Sequence, residues 1–383
     1  MASQQEMVTA FEQSVLEFSI PLYKALDKGE NAFFSPYSVS AALMLLLLGT
    51  DGEAKTELET ALKLKGVTGL ETHRGYNELY KKLTSRSGEG ILISIANRIF
   101  SKEGIKLCKD FSHNALKFYE SEVEQLDFAT KAEESRQKIN TWIEKQTKDK
   151  IKDLIPQGLL GRDTVMVLTN AIYFKGDWEI KFDERGTSKQ PFFINDSDSV
   201  EIDMMSNKTK KVKSGESDEL GCKCLQLPYK QGALSMFLLL PNERTGMSTL
   251  EKKLTTSTLQ TAFGSVYQQE TEISLPKFKL ESSYNLTKTL PKVGVEKIFG
   301  ISADFSAMFE DGGGDVCVSD VVHKAFVEVN EEGTEAAAAT ALIMTRMMIM
   351  PAFEFRADHP FLFFIIDNDS KTILFMGRYA KPN

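Results

Sequence analysis

The sequence predicts a mixed α/β protein of the α+β type, because helical and strand patterns are largely separated along the chain. The first part carries several amphipathic helical patterns, and the remainder consists mainly of β-patterned runs. The run Thr164–Phe174 is apolar on both faces, which is typical of a central strand in a covered sheet. Helices packed on large sheets in one unit give this fold class.

Two helices can be placed in most detail. Apolar residues recur at spacings of 3 and 4 near the N-terminus, as on one face of a helix: Val8, Phe11, Val15, Phe18 and Leu22. Val39–Leu48 is almost entirely apolar and follows Ser35-Pro36, so it predicts a buried helix. Further amphipathic segments are Glu53–Leu64, Tyr76–Leu83 and Glu133–Gln146.

The β-patterned runs account for most of the second half. They are Leu225–Pro241, Glu272–Leu280, Val316–Asn330 and Pro360–Gly377. Neither a linker nor an internal repeat interrupts the chain, so we expect a single domain over residues 1–383.

Composition and charge exclude several classes of partner. The chain has 383 residues, of which 42% are hydrophobic, and a formal net charge of -8. An acidic chain is a poor ligand for nucleic acid or anionic membranes, and we expect neither. Lysines cluster at 208–213 and near Lys81, but a solvated surface explains them, so we do not expect glycosaminoglycan binding.

The N-terminus and the cysteines predict a reducing compartment. Glu6, Glu12 and Glu17 lie where a secretory signal would be basic and then apolar. Cys108, Cys222, Cys224 and Cys317 lack a disulfide-framework spacing, and we interpret them as free thiols. We therefore expect a cytoplasmic protein, with release that needs no cleavable signal peptide as a second route.

No pattern indicates an enzyme. The G-x-S-x-G elbow of hydrolases is absent. Ser135-x-x-Lys138 is present, but it lies in a charged amphipathic helix and is interpreted as a chance match. The four histidines are scattered and the chain has no phosphate-binding glycine loop, so neither a metal nor a cofactor is expected.

Three polar residues occupy positions where apolar ones are expected. Ser38 begins the buried helix, Asn170 interrupts the buried strand, and His323 lies in the apolar run 321–326. Buried polar groups usually find hydrogen-bond partners. An ordinary structural role is one interpretation, and a special role is the other.

The segment Glu331–Met350 conflicts with its surroundings. Its alanines favour a helix, yet it lies between two β-patterned runs. Ala336–Ala339 would leave such a helix with no large side chain for docking. A local conflict of this kind indicates a functional or strained site. Small side chains suit a segment that must later slide between packed elements.

Several long motifs identify a family resemblance. Val329–Thr340 (VNEEGTEAAAAT) resembles the reactive-loop hinge of inhibitory serpins almost letter for letter. Asn31–Leu43 is similar to the second serpin helix, and Thr169–Phe182 to the central strand of the main sheet. The resemblance covers about Val8–Pro382, and its C-terminal part is similar to the ovalbumin-like branch.

The resemblance implies a fold and a mechanism. The fold has about nine helices around three β-sheets, with a reactive-centre loop at about residues 331–351. In the mechanism, a serine protease cleaves the loop and forms an acyl-enzyme. The cut loop then inserts into the main sheet and carries the protease to the opposite pole, as in serpin loop insertion, a recognised form of strand addition. The resemblance also implies a monomer that can polymerise by loop–sheet exchange.

The resemblance also implies roles for individual residues. The hinge residues are Glu331, Glu332, Gly333, Thr334, Glu335, Ala336, Ala337, Ala338 and Ala339. Lys277 would pair with Glu331 where the loop enters the sheet, and Trp178 would pack nearby. Ser35, Ser38, Asn170 and His323 fall on the shutter, the polar cluster that holds the sheet strands together and lets them part.

Family spacing places the scissile bond at Met347–Met348. Its neighbour Arg346 is the only basic residue between the hinge and Pro351, so a trypsin-like protease would cleave Arg346–Met347. A chymotrypsin- or elastase-like protease would take Met347 in its apolar pocket. The alternative function is a non-inhibitory serpin that acts as a storage, carrier or chaperone protein, since fold alone does not settle function.

Overall fold

The computed structural model describes residues 3–27, 29–66, 69–88, 90–300, 303–312, 314, 316–332 and 352–382. The α-helices in these ranges are α1 (Gln4–Ala25), α2 (Pro36–Leu47), α3 (Gly52–Ala61), α4 (Leu70–Thr84), α5 (Lys109–Tyr119), α6 (Ala132–Gln146), α7 (Met247–Lys253) and α8 (Thr256–Gly264). Short 3-10 helices lie at Glu184–Gly186, Leu286–Lys288, Leu290–Val293 and Lys297–Phe299.

The strands of the described ranges alternate with these helices. They are β1 (Ala32–Phe34), β2 (Ile91–Lys102), β3 (Glu124–Leu126), β4 (Met166–Gly176), β5 (Ser188–Phe193), β6 (Ser199–Ser217), β7 (Cys222–Pro228), β8 (Leu234–Pro241), β9 (Tyr267–Pro276), β10 (Phe278–Asn285), β11 (Asp320–Val329), β12 (Phe353–Arg356), β13 (Phe361–Asp367) and β14 (Ile373–Tyr379). The predicted mixed α/β class is confirmed.

Helix α2 begins at Pro36, directly after Ser35 and three residues before the predicted apolar stretch Val39–Leu48. The Ser35 side chain accepts a hydrogen bond of 3.0 Å from the Ser38 N–H, and Pro36 takes the first helical position. Every residue of α2 is buried, as expected of a helix that is apolar on nearly all faces. It contacts β4 of one sheet and β14 of the other, so it lies between the two sheets.

The smaller sheet has five strands in the order β10-β11-β4-β2-β3. Strands β4 and β11 are parallel, whereas β2 is antiparallel to β4 and β10 is antiparallel to β11. The parallel pair therefore forms the centre of the sheet. Because β11 ends at Val329, the segment that begins at Glu331 leaves from the carboxyl end of this central pair.

Among the described residues, the larger sheet has nine strands and is organised by the long strand β6. Its main path is β1-β14-β13-β8-β7-β6-β9-β12, and β5 pairs with β6 off that path. The pairing of β6 with β9 shifts register between Thr209 and Val212. Strand β9 pairs with β6 on both sides of this shift, whereas β5 pairs with the N-terminal part of β6 and β7 with its C-terminal part. The three sheets implied by the resemblance therefore occur as two hydrogen-bonded networks, because β6 joins two of them.

The helical interpretation of the first part of the chain missed three strands, the short β1 as well as β2 and β3. β2 spans 12 residues and pairs with β4 along most of its length, and β3 pairs with the end of β2. The buried positions of β2 do not alternate strictly with exposed ones. A strand inside a sheet covered on both faces lacks the simple period of two that a half-exposed strand shows.

Two apolar cores cover the two faces of the five-stranded sheet. The larger core lies between the two sheets and includes α2. The smaller core lies under α6, where Ile139 and Ile143 pack with Phe100 and Val167 of the sheet. Strands β2, β4 and β11 are consequently buried on both faces, which explains the apolar character of Thr164–Phe174.

Three further observations bear on function classes. Within the described ranges, no helix is both long enough and apolar enough to cross a bilayer. Those ranges also contain no group of three or more His, Cys, Asp or Glu side chains placed to hold a metal ion. All four cysteines are free thiols.

The packing of α1 on α4 generates a stability prediction. A Cβ atom added to Gly75 of α4 would lie 2.5 Å from the carbonyl oxygen of Met7 in α1. Because backbone cannot easily move away, Gly75→Ala should destabilise the protein by about 1–3 kcal/mol despite the better helix propensity of alanine. Thermal and urea unfolding of the purified chain measure the effect.

Gly264→Ala is the matched control. Gly264 also lies in a helix, and its added Cβ would meet nothing within 4 Å. This change should be neutral or stabilising by up to about 1 kcal/mol. Equal effects of the two substitutions would contradict the close α1–α4 approach.

Candidate functional site

Strands β4 and β11, at the centre of the smaller sheet, pair with each other along only part of their length. Their register runs from Asp320↔Val167 to Phe326↔Tyr173. Beyond that point, residues 174–176 of β4 still pair with β2, and residues 327–329 of β11 still pair with β10. In the described part of the chain these two segments are not paired with each other. We call this stretch the open seam, and it lies at the end where the chain leaves β11.

A row of polar side chains crosses the sheet within the closed part. Asn97 of β2, Asn170 of β4 and His323 of β11 are direct cross-strand partners. The Asn170 amide donates to the carbonyl oxygen of Ser38 at 2.9 Å and to its hydroxyl at 2.6 Å. It also donates to the Asn97 side-chain oxygen. All four predicted shutter residues, Ser35, Ser38, Asn170 and His323, therefore meet in one buried hydrogen-bonded cluster.

His323 is held as a neutral ring in this cluster. Its Nε2 accepts a hydrogen bond of 3.1 Å from the Ser35 N–H, so Nδ1 carries the proton and donates to the Asn170 side-chain oxygen. The ring is fully buried, and burial lowers the pKa of His323 to about 3. A second proton would replace the acceptor at Nε2 with a donor that faces the Ser35 N–H.

Asn97 is a member of the cluster that the sequence analysis missed. Its side-chain oxygen accepts from Asn170 and, at 3.5 Å, from the Ser38 hydroxyl. An asparagine in the apolar run Ile91–Phe100 was the available signal. The role of Asn97 could not be inferred from it, because the run was not recognised as a strand next to β4.

An ion pair lies at the top of the open seam. The Lys277 ammonium is 2.9 Å from one carboxylate oxygen of Glu331, and the Thr187 hydroxyl donates to the other at 2.8 Å. Glu331 is only 5% exposed. Burial raises the pKa of Glu331, but the hydrogen bonds from Lys277 and Thr187 outweigh it, so the pKa lies below its ordinary value. The predicted contact between Lys277 and Glu331 is thus present.

Trp178 fixes the chain that follows β11. Its indole N–H donates to the Asn330 carbonyl at 2.9 Å, and its ring stacks on Tyr229 with centroids 4.6 Å apart. The backbone N–H groups of Trp178 and Phe182 donate to the carbonyls of Glu332 and Glu331. The segment after β4 therefore bridges the top of the open seam and holds the first two hinge residues in place.

The remaining predicted site residues lie outside the described residues. These are Gly333, Thr334, Glu335, Ala336, Ala337, Ala338 and Ala339 of the hinge, and Arg346, Met347 and Met348 at the cleavage position. The described chain resumes at Ala352 and enters β12, the terminal strand on the path of the larger sheet. The loop segment thus connects the carboxyl end of β11 in one sheet to an edge of the other.

Ser135 and Lys138 are occupied by structural contacts. The Ser135 hydroxyl donates to the Asp127 carbonyl at 3.3 Å, and Lys138 forms an ion pair of 2.7 Å with Glu124. A nucleophile–base pair needs the two side chains within hydrogen-bond reach of each other. These contacts agree with the interpretation of the motif as a chance match.

The comparison with protein families identifies this fold. The family model described as serpin (serine protease inhibitor) matches residues 13–382. The chain belongs to the serpin family. This serpin is 41% identical over 374 residues to the leukocyte elastase inhibitor of Sus scrofa, which covers 95% of this chain and 97% of the relative. The resemblance to the ovalbumin-like branch is confirmed.

Solved structures agree with the serpin fold. Uncleaved ovalbumin is similar with a TM-score of 0.87 and 27% identity, covering 98% of this chain and 100% of that one. Serpin48 of the insect Tenebrio molitor, described as a highly specific serpin, has a TM-score of 0.86 and 32% identity, covering 97% of this serpin and 98% of Serpin48.

The buried state of His323 generates a pH prediction. The folded pKa of about 3 lies below the ordinary value of 6.5, so the unfolded chain binds more protons between these values. The contribution of His323 to stability is therefore complete above pH 6.5 and is lost as the pH falls below it. Lowering the pH from 7 to 5 should therefore reduce the free energy of unfolding by about 2 kcal/mol through His323.

The measurement is thermal stability from pH 7.5 to pH 5 for the wild type and His323→Gln. The variant should be less stable at pH 7.5, because it loses the ring, but its stability should fall less steeply with acid. His73→Gln is a second test outside the sheet, in α4, because burial also lowers the pKa of His73, to about 4, so its stability should likewise fall less steeply with acid. Parallel curves for wild type and His323→Gln would contradict the neutral His323.

Proposed function

We propose that this serpin is an irreversible suicide-substrate inhibitor of serine proteases. A target protease cleaves the reactive loop at about residues 331–351 and forms an acyl-enzyme. The cleaved loop then inserts between β4 and β11 and carries the tethered protease away before the ester is hydrolysed. The serpin contributes no catalytic residue, because the nucleophile is that of the protease.

The open seam is the observation that carries this proposal. Residues 174–176 of β4 and 327–329 of β11 each have one strand partner and face each other without pairing among the described residues. An entering strand would satisfy backbone groups on both sides. Because β4 and β11 are parallel, a chain that turns back after Glu332 runs antiparallel to both, which is a favourable ladder geometry.

The contacts below and above the seam explain how insertion could be controlled. Strands that accept a new neighbour between them must separate from about 4.8 Å to about twice that distance. The His323–Asn170 hydrogen bond spans the closed part of the pair and would have to break. The Lys277–Glu331 pair holds the hinge at the open end. Both contacts thus resist insertion before cleavage.

The composition of the loop supports insertion. Gly333 and the run Ala336–Ala339 carry little bulk, and Thr334 is small and uncharged. About 15 inserted residues at about 3.3 Å each move the cut end by roughly 50 Å. That displacement is comparable to the diameter of a protease domain.

The residues at the cleavage position define two target classes. Met347 suits an apolar specificity pocket, and Arg346 suits a pocket with a buried carboxylate, because a buried charge needs a partner. The leukocyte elastase inhibitors among the relatives support a serine protease target. The four free thiols support a cytoplasmic site of action.

The hinge substitution Thr334→Arg tests insertion. An arginine buried in the sheet costs several kcal/mol, so insertion should slow and the acyl-enzyme should be hydrolysed first. The variant should be cleaved as a substrate, with at least about a tenfold loss of SDS-stable complex relative to wild type. Complex formation with trypsin, chymotrypsin and elastase on denaturing gels measures this.

Glu335→Arg is the matched control for this test. Neighbouring strand residues point to opposite faces of a sheet, and at the open seam one face is partly exposed, at Lys175 and Glu328. The charged Glu335 predicts this partly exposed face for its position. Its complex formation should resemble that of wild type. Undiminished complex from Thr334→Arg would exclude insertion, and absence of complex from the wild type would favour the non-inhibitory alternative.

The substitution Arg346→Ala tests the dual target classes. It should reduce inhibition of trypsin by at least about 100-fold, because the pocket carboxylate loses its partner, and leave chymotrypsin or elastase inhibition within a few-fold. Second-order inhibition rates and the mass of the released C-terminal fragment measure both bonds. Arg185→Ala, which removes an exposed arginine that pairs with Asp183, should change neither rate. Trypsin inhibition at the wild-type rate by Arg346→Ala would show that Arg346 is not the residue trypsin cleaves after.

A further inference from the structure

The C-terminal attachment of the reactive loop is short. After the loop, the chain forms β12, whose four residues pair in parallel with β9. Phe355 is the one residue of β12 that is fully buried, and Glu354 is exposed. Burial of one phenylalanine contributes about 1.5–3 kcal/mol. We therefore expect β12 to be attached to its sheet less strongly than the longer strands around it.

The pairing of β12 also contains an electrostatic conflict. Glu354 lies directly opposite Glu272 of β9, and like charges in this position destabilise a sheet. Lys208 of β6 lies on the other side of Glu272 and forms an ion pair with it at 2.7 Å. Glu354, in contrast, has no ion pair in the described part of the chain.

Lys223 of β7 compensates at the free edge of β12. Its ammonium donates to the backbone carbonyl of Glu354 at 2.9 Å and lies 5.7 Å from the centre of the Phe353 ring. Glu216 is its direct cross-strand partner, yet the Lys223 ammonium reaches β12 instead. One cation thus provides a hydrogen-bond donor and a ring contact to an edge strand that otherwise pairs on one side only.

Whether the uncut loop can insert depends on whether β12 stays paired with β9, and this dependence rests on the proposed inhibitory function. If an uncut loop inserted residues 333–346, they would extend about 46 Å along the sheet. The five residues 347–351 can span at most about 18 Å, so they could not return to β9. The uncut loop can therefore insert fully only if β12 separates from β9. Cleavage removes this constraint.

We propose that Lys223 is a positioning residue that clamps β12 at the base of the reactive loop and delays insertion of the uncut loop. The clamp would keep the loop available to a protease during storage of the active protein. It acts on the segment C-terminal to the scissile bond, through contacts separate from the hinge contacts at Glu331. At the other end of β12, Arg356 donates to Gln190 at 2.7 Å and to Asp358 at 3.1 Å, which completes the attachment.

The first test measures opening of β12 itself in the full, uncut chain. Amide hydrogen exchange followed by mass spectrometry of peptides that cover residues 352–358 reports this opening. Lys223→Met keeps the side-chain length but removes the charge and the donor, and should speed exchange about three- to tenfold. Lys223→Arg should restore the wild-type rate, because a guanidinium can make both contacts.

Lys297→Met is the matched control. Lys297 is a partly exposed lysine that pairs with Glu53 at 2.7 Å, and it lies outside the larger sheet. Its removal should leave exchange in β12 unchanged. Wild-type exchange rates in Lys223→Met would overturn the clamp, whatever the protease assays show.

The second test measures the lifetime of the active form. Each protein is incubated at 45 °C without protease, and the fraction that still forms SDS-stable complex is titrated over time. Lys223→Met should lose this fraction about three- to tenfold faster, and the inactive product should melt at a higher temperature. Faster exchange with an unchanged lifetime would overturn the role in delaying insertion. Faster exchange in a chain whose wild type never forms complex would support the clamp on β12 and overturn the inhibitory function.

Discussion

The parallel pairing of β4 with β11 is the constraint on which the rest of this serpin depends. These strands form the centre of a sheet covered on both faces, where unpaired backbone groups are costly. Their register nevertheless ends at Phe326↔Tyr173, several residues before either strand ends. In the proposed function this open position accepts one more strand, and the chain that leaves β11 begins at that place.

Hydrogen bonds and an ion pair, and not apolar packing alone, stabilise the arrangement of β4 and β11 around the open seam. Asn170 and His323 of the Asn97–Asn170–His323 row are fully buried, where a satisfied hydrogen bond is strong and an unsatisfied one is expensive. Such a row specifies one register and resists separation until all its members can exchange partners together. The ion pair of Lys277 with Glu331 is placed differently, since Lys277 is 45% exposed in its side chain. It contributes modestly and can open without a large penalty.

Much of the fold and part of the site could be predicted from local patterns. The cap at Ser35, the all-apolar α2 and the doubly covered β4 each follow from residues close together in the chain. Ser38, Asn170 and His323 were noticeable because each is polar in an apolar run. Asn97 and the strand β2 were missed, because a strand buried on both faces loses its alternation. The partnership of Asn97 depends on the register of β2 against β4.

The sequence by itself determined the fold class, the family and the run of small residues Ala336–Ala339 that predicts a hinge, because periodicity, capping and motif order are local properties of the chain. Only the tertiary structure decided which polar residues meet, that β4 and β11 stop pairing above Phe326, and that Lys223 reaches β12 from another strand. These features join residues more than 50 positions apart. They depend on strand order and register, and no local preference of the chain encodes either.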